Sequence, residues 1–386
     1  MKILINATPL LAARSGVGRY TRSLSEALLQ IDAANEYEFF APPRFTDRLP
    51  DFALESNNAP TYSRIKDSLR KLKKYPLWVD WGRRQLFGFG GKLRHYELYH
   101  ELNSVPLGFP APIVLTILDL SVRLYPETHP RVRVDVFNKY FYQSLSRVRR
   151  IITISQAIKN ELVELLGIPA EKVDVVHLAA DSHFRPLDPE LVRQYLQKRE
   201  LPPRYILYLG TLEPRKNLSL LIEAYSELPL DLRYRFPLVL AGFKGWPGDD
   251  SPYRVLEAQV DRLGIKEQVI FTGFVPESEL PLLYNGAVAF VFPSLYEGFG
   301  LPPLEAMQCG IPVLVSSAPA LSEVVANAGI VLPANNKTAW TESLRRILGD
   351  SDMRVEYKQR GMARALDFSW DKCARETIAV YQTALA

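Results

Sequence analysis

Apolar residues in this chain fall into short consecutive runs, and the stretches between several of them repeat their apolar positions at helical spacing. Residues 2–6 form a first strand-like run, and 113–118 and 151–154 two more, rich in the β-branched side chains that buried parallel strands favour. Between them Leu24, Leu28, Leu29 and Ile31 recur at helical intervals after a glycine-containing loop, Ser15-Gly16-Val17-Gly18-Arg19. Ser155 reads as the N-cap of a helix carrying Ile158, Leu162, Leu165 and Leu166, stopped by Gly167 before Pro169.

Residues 184–204 hold Pro186, Pro189, Pro202 and Pro203 without a strong strand, and read as a connection between domains. The alternation then restarts, with strands expected at 205–209, 237–241, 269–272, 288–292 and 312–315. Helices are expected at 218–228, 253–263, 278–284 and near 304–308. Strands alternating with helices at this spacing imply parallel sheets covered on both faces. The expected class is therefore α/β with two Rossmann-like domains, at 1–185 and 200–369. Open parallel sheets bind ligands beyond the carboxyl ends of their strands, which directs the search to those loops.

Composition narrows the picture. With 386 residues the chain is too long for one ordinary core, and 47% hydrophobic against 23% charged residues excludes a disordered chain. The apolar runs are strand-length and none predicts a transmembrane span. The first residues enter directly as a strand, so no secretory leader is expected. Two cysteines, Cys309 and Cys373, are too few for a disulfide framework or a cysteine-based zinc site, and the expected setting is cytoplasmic. A net charge of +4 gives no case for nucleic acid. Its distribution is uneven: within 64–94, Lys71, Lys73, Lys74 and other basic residues are interleaved with Trp78, Trp81, Phe87 and Phe89. That mixture suits either an anionic membrane surface, as a peripheral contact, or a solvated helical face with packed aromatics.

Two strand-turn-helix stretches carry the candidate chemistry. The first runs Phe292-Pro293-Ser294-Leu295-Tyr296-Glu297-Gly298-Phe299-Gly300-Leu301-Pro302-Pro303-Leu304-Glu305. Glycines ahead of a helix N-terminus leave free N–H groups converging on an anion, and Pro302 and Pro303 suit a first turn. Glu297 is expected in the loop and Glu305 in the first helical turn. A carboxylate beside a phosphate is repelled by it, so these two fit neutral sugar hydroxyls. The second stretch is Gly210-Thr211-Leu212-Glu213-Pro214-Arg215-Lys216-Asn217. Its adjacent cations at the mouth of a parallel sheet suit a diphosphate; taken by itself, it equally reads as a solvated turn with Asn217 as N-cap. Asp350-Ser351-Asp352 reads as turn and cap residues, and no metal site is expected.

Together these stretches resemble the retaining glycosyltransferases of family four, whose two Rossmann-like domains face each other in the arrangement called GT-B. The likeness extends through Gly16-Val17-Gly18-Arg19-Tyr20, Ile152-Thr153-Ile154-Ser155, Gly273-Phe274-Val275-Pro276 and Phe368-Ser369-Trp370. The resemblance implies that Lys216, assisted by Arg215, holds a donor diphosphate and that Glu297 sits against the transferred sugar. The backbone of Gly298, Phe299, Gly300 and Leu301 would lie near sugar and phosphates, Glu305 would bind ribose hydroxyls, and Phe274 and Val275 would line the base pocket. Gly16 and Gly18 would allow close approach from the first domain, onto which a last helix at 370–386 would pack back. The likeness to bacterial mannosyltransferases of surface-polysaccharide assembly makes GDP-mannose the first donor expected, with UDP- and dTDP-sugars open, and a glycan or lipid-linked glycan the acceptor. No cofactor or metal is implied.

Two positions depart from the pattern. Thr211 stands where many members have Arg, and Leu118 where a His usually precedes Asp119. Asp119 is expected to face acceptor or sugar, and His100 and His129 to be structural or acceptor-side. A hydrolase using Glu297 and Glu305, a nucleotide-sugar epimerase and a non-catalytic sugar-binding protein remain as alternatives; nucleotide-diphosphate affinity discriminates against a plain sugar receptor.

Overall fold

The computed structural model describes residues 1–11, 16–42, 44–50, 87, 94–107, 111–129, 131–243 and 251–386. The chain divides into two compact units: Met1–Leu178 with Trp370–Ala386, and Ala179–Ser369.

Unit 1 runs β1 (Lys2–Asn6), α1 (Gly16–Ile31), β2 (Glu36–Ala41), β3 (Arg44–Thr46), β4 (Leu98–Glu101), β5 (Ile113–Ile117), α2 (Ser121–Leu124), α3 (Arg131–Leu145), β6 (Val148–Thr153), α4 (Gln156–Leu166) and β7 (Val173–Val175). Its sheet has the order β3-β2-β1-β4-β5-β6-β7 and is parallel except for the β2–β3 pair. β5 is buried at every position, as its unbroken apolar run requires of a strand covered on both faces. Ser155 caps α4 by accepting from the Ile158 N–H, and Gly167 ends it at φ +63°, the left-handed conformation glycine adopts without penalty.

Unit 2 runs α5 (Pro189–Lys198), β8 (Tyr205–Leu209), α6 (Leu218–Ser226), α7 (Leu230–Arg235), β9 (Leu238–Ala241), α8 (Pro252–Arg262), β10 (Val269–Gly273), α9 (Leu280–Asn285), β11 (Ala287–Phe292), α10 (Leu301–Gln308), β12 (Val313–Ser316), α11 (Pro319–Val325), β13 (Ile330–Leu332), α12 (Lys337–Gly349) and α13 (Ser351–Ala365). The sheet is wholly parallel with order β10-β9-β8-β11-β12-β13. Counted from β8, that is third-second-first-fourth-fifth-sixth, the order of dinucleotide-binding sheets. The strand order reverses between β8 and β11, so the crevice at their carboxyl ends is where such a sheet binds ligand. The final helix, α14 (Trp370–Leu385), belongs to unit 1 and lies against α1, with Tyr20 and Trp370 ring centroids 6.5 Å apart.

Three local expectations are corrected. Residues 184–204 are not bare connection: Pro189 opens α5, Asp188 caps it, and Val192, Tyr195 and Leu196 are buried on one face. Proline in a first helical turn loses no hydrogen bond, so it starts a helix there instead of excluding one. Gly16 and Gly18 are not in a loop but in the first turn of α1. Glu305 falls beyond the first turn of α10, because that helix starts at Leu301.

Most of the basic, aromatic stretch at 64–94 lies outside the described residues. Of its two described members, Phe87 is fully buried, its ring 4.7 Å from Phe40 and 4.9 Å from Tyr99, and Arg94 pairs with Glu38 at 2.9 Å. Phe87 therefore belongs to the core and not to a surface. No described helix is long and apolar enough to cross a membrane. Cys309 and Cys373 are free, buried thiols, both pushed up by burial.

Candidate functional site

At the carboxyl edge of unit 2, three neighbouring strands run into glycine: Gly210 just past β8, Gly242 just past β9, and Gly273 closing β10. Gly242 has φ +134° and packs so closely that a Cβ there would lie 2.0 Å from the Gly210 carbonyl oxygen. The Gly242 N–H donates to the Gly273 carbonyl at 2.8 Å. These glycines let the three strand ends meet at backbone distance. Sequence reasoning passed over Gly210 and Gly242, although a glycine closing each successive strand was the available signal.

The loop after β8 makes one tight turn, Pro214–Lys216, and then Asn217 adopts φ +57° before α6 begins. Asparagine tolerates this left-handed conformation better than most side chains. Its side chain does not cap α6; the amide instead donates to the Pro293 carbonyl at 3.3 Å and to Ala334 at 2.7 Å. The Leu295 N–H donates to the Arg215 carbonyl at 2.9 Å. The two motif-bearing loops, at the switch point of the sheet, are thus stitched together through backbone.

That stitching places the charged side chains. Lys216 Nζ donates to Glu297 Oε1 at 2.5 Å and lies 5.3 Å from the Phe292 ring centroid. The Arg215 guanidinium lies 3.5 Å from Glu297 Oε2 and 3.5 Å from Glu213, and donates to the Tyr296 carbonyl. The side chains of Arg215, Lys216 and Glu297 are only 9%, 11% and 13% exposed. Two cations face two carboxylates here, Glu297 in little water and Glu213 more exposed, so a further anion is drawn to the cations where it takes a carboxylate's place. Tyr208, stacked beneath at 5.8 Å from Phe292, has its hydroxyl pushed well up, first by burial and then by the Glu297 and Glu213 charges.

Gly298, Phe299 and Gly300 are buried and Leu301 half-buried. Gly300 has φ +125°, and a Cβ there would meet Leu321 at 2.8 Å, so the backbone entering α10 has no room for a side chain. Glu305 is fully buried and accepts from the Tyr284 hydroxyl at 2.7 Å; Tyr284, on α9, reads in sequence as an ordinary core residue. Phe274 is exposed and Val275 half-exposed just past β10. The structure therefore brings Arg215, Lys216 and Glu297 into contact, and leads from Glu297 through the glycines into the helix bearing Glu305.

The unit 1 residues form a separate group. Asp119, beyond the end of β5, accepts from the Ser121 N–H at 2.9 Å and the Ser121 hydroxyl at 2.6 Å. Leu118 beside it is half-buried. Gly16 is exposed, in open space, and Gly18 buried. His100 is structural: it is fully buried, its ring nitrogens lie 2.7 Å from Tyr381 OH and 2.8 Å from Thr116 Oγ1, and burial pushes its pKa down to about 3. Among the described residues, Asp181, His183 and Glu277 each bring one ligating atom within 4.8 Å of the others. Asp350 caps α13 through the Asp352 and Met353 N–H groups.

Residues 14–184 match the model of glycosyltransferase family 4, and residues 193–364 that of glycosyl transferases group 1. The chain is 36% identical over 391 residues to the O-antigen chain mannosyltransferase B of Escherichia coli, covering 99% of this chain and 100% of that protein. It is 34% identical to the serotype-specific mannosyltransferase WbdA of Escherichia coli over 63% of this chain, spanning 30% of that longer protein. In fold it is similar to sucrose-phosphate synthase from Thermosynechococcus elongatus, with a TM-score of 0.76 at 22% identity over 99% of this chain and 98% of that one. It is also similar to Anabaena HepE in complex with UDP and glucose, with a TM-score of 0.68 at 18% identity over 99% and 100%.

Proposed function

The chain belongs to the group 1, family 4 glycosyltransferases, and from that premise we propose that it is a retaining mannosyltransferase. It moves mannose from GDP-mannose to a glycan or lipid-linked glycan acceptor in polysaccharide biosynthesis. One observation carries the donor assignment: Lys216, Arg215 and Glu297 meet at the point where the strand order of the unit 2 sheet reverses. Mannose is supported by the full-length likeness to a mannosyltransferase.

In this reading Lys216 and Arg215 hold the diphosphate, and the N-terminus of α10 adds its dipole and the Leu301 N–H, Pro302 and Pro303 having none to offer. Glu297 turns to the sugar hydroxyls, Glu305 takes the ribose hydroxyls, and the backbone at Phe274 and Val275 borders the base. The bond from the anomeric carbon to the diphosphate oxygen breaks, leaving positive charge on the sugar and negative charge on the diphosphate. The acceptor hydroxyl attacks from the same face, and its proton passes to an oxygen of the departing diphosphate. The protein supplies positioning and charge stabilisation. The two cations take the part a metal plays elsewhere, so no metal is required.

Incubation with GDP-mannose and mannosyl acceptors in EDTA, followed by proton NMR of the product, tests this directly. An α-linked product is expected. A β-linked product, or turnover only with added metal, refutes retention or metal independence respectively. Transfer from UDP- or dTDP-sugars alone would replace the donor. A peripheral contact with the inner face of the cytoplasmic membrane through the basic residues of 64–94 is part of the same proposal; unchanged vesicle binding after neutralising Lys71, Lys73 and Lys74 would count against it.

A further inference from the structure

The carboxyl edge of the unit 1 sheet carries two carboxylates in different circumstances. Glu101, closing β4, is 1% exposed. It accepts from Asn6 Nδ2 at 3.0 and 2.8 Å, from the Asn103 N–H at 3.1 Å and from the Tyr99 hydroxyl. That carboxylate is enclosed by the protein's own donors. Asp119 is half-exposed, and only its Oδ1 is engaged among the described residues, by the N–H and hydroxyl of Ser121.

The Ser121 hydroxyl that holds Asp119 is itself held. His129 Nε2 lies 3.0 Å from Ser121 Oγ. The Ser121 hydroxyl hydrogen is already given to Asp119, so Oγ accepts from the imidazole N–H. The result is a directed chain, His129 to Ser121 to Asp119, spanning the short helix α2. The Ser121 N–H alone would close the turn at Asp119. The hydroxyl adds a second bond to the same carboxylate oxygen, and the imidazole, from eight residues further along, orients that hydroxyl, so the carboxylate's rotation is fixed.

We propose that Asp119 Oδ2 accepts a hydrogen bond from a hydroxyl of the acceptor sugar, and that Ser121 and His129 are positioning residues that hold it ready. The inference rests on the reading of unit 2 as the donor side. A neutral sugar hydroxyl donates well to an ionised carboxylate, and a carboxylate with one oxygen already anchored loses little freedom on binding. The imidazole of this region therefore comes from position 129, while Leu118, beside Asp119, offers no polar group.

The test uses GDP-mannose with a fluorescent α-mannoside as acceptor probe. Ser121→Ala keeps the backbone bond and removes only the hydroxyl; His129→Ala removes the imidazole; His129→Gln returns an N–H near the Nε2 position. Both alanine variants are expected to raise the acceptor KM about tenfold, with donor KM and GDP-induced thermal shift unchanged, and His129→Gln to recover most of the loss. An unchanged acceptor KM in both alanine variants, or equal changes in donor KM, would overturn the proposal. Absence of any nucleotide shift in the unaltered protein would refute the donor reading instead.

Discussion

Replacing Glu297 by Gln removes one charge and almost no volume from the centre of the proposed donor site, and its consequences run in opposite directions. Glu297 faces Lys216 at 2.5 Å and Arg215 at 3.5 Å with 13% of its side chain exposed. At an effective dielectric of about 20, unit charges 4 Å apart attract by about 4 kcal/mol. Breaking a largely buried pair by neutralising one partner costs about 3–5 kcal/mol. Gln retains an acceptor oxygen for Lys216, which favours the lower end, about 3 kcal/mol. For a unit of this size that lowers Tm by about 6–12 °C. Lys216 then lacks a counter-charge and Arg215 keeps only the more exposed Glu213, which favours an incoming diphosphate, so GDP affinity should rise by about tenfold, worth about 1.4 kcal/mol. Transfer should fall at least a hundredfold, because the sugar loses its carboxylate. Differential scanning fluorimetry with and without GDP, with transfer measured on the same protein, reads all three. A Glu297→Gln protein as stable as the parent, with GDP affinity unchanged or weaker, would refute the argument that this carboxylate balances the diphosphate cations.

His100 predicts an acid-labile unit 1. Its folded pKa, about 3, lies below the unfolded value of about 6.5, so its contribution is complete above pH 6.5 and is lost as pH falls toward 3. Between pH 6.5 and 4.5 urea unfolding should show the parent losing about 2 kcal/mol more than His100→Gln; equal losses would remove His100 as the cause. Gly16→Ala puts a methyl group into open space in a helical first turn, so thermal melting should show stability unchanged or raised by up to about 1 kcal/mol. Transfer should nevertheless fall, and unaltered transfer would remove Gly16 from the site.

The strands of both units were legible because buried parallel strands are written as unbroken apolar runs, as at β5 and β11. Proline obscured α5, since the residue that marks a linker also opens a helix. The glycines of α1 were misplaced into a loop for a related reason: glycine does not by itself distinguish a loop from an uncovered helix start. The motifs containing Lys216 and Glu297 were visible, but their contact joins side chains 81 residues apart, and no spacing rule gives such a distance. It depends on Asn217 adopting a left-handed conformation and on its amide reaching Pro293 and Ala334. Tyr284 was hidden because a core tyrosine and a tyrosine that orients a buried glutamate look alike in sequence. The Asp119–Ser121–His129 chain was hidden because nothing in the spacing reveals a helix short enough to let residue 129 return to the strand end.

In the proposed reaction Lys216 of unit 2 holds the diphosphate of a nucleotide-sugar without a metal. Thermal shifts of the purified protein against GDP, UDP, dTDP and their sugars in EDTA test it most directly, because a ligand that binds only the native state raises Tm with its concentration. A shift from the GDP series, abolished in Lys216→Ala, is expected. No shift from any nucleotide, or a full shift in Lys216→Ala, would contradict it.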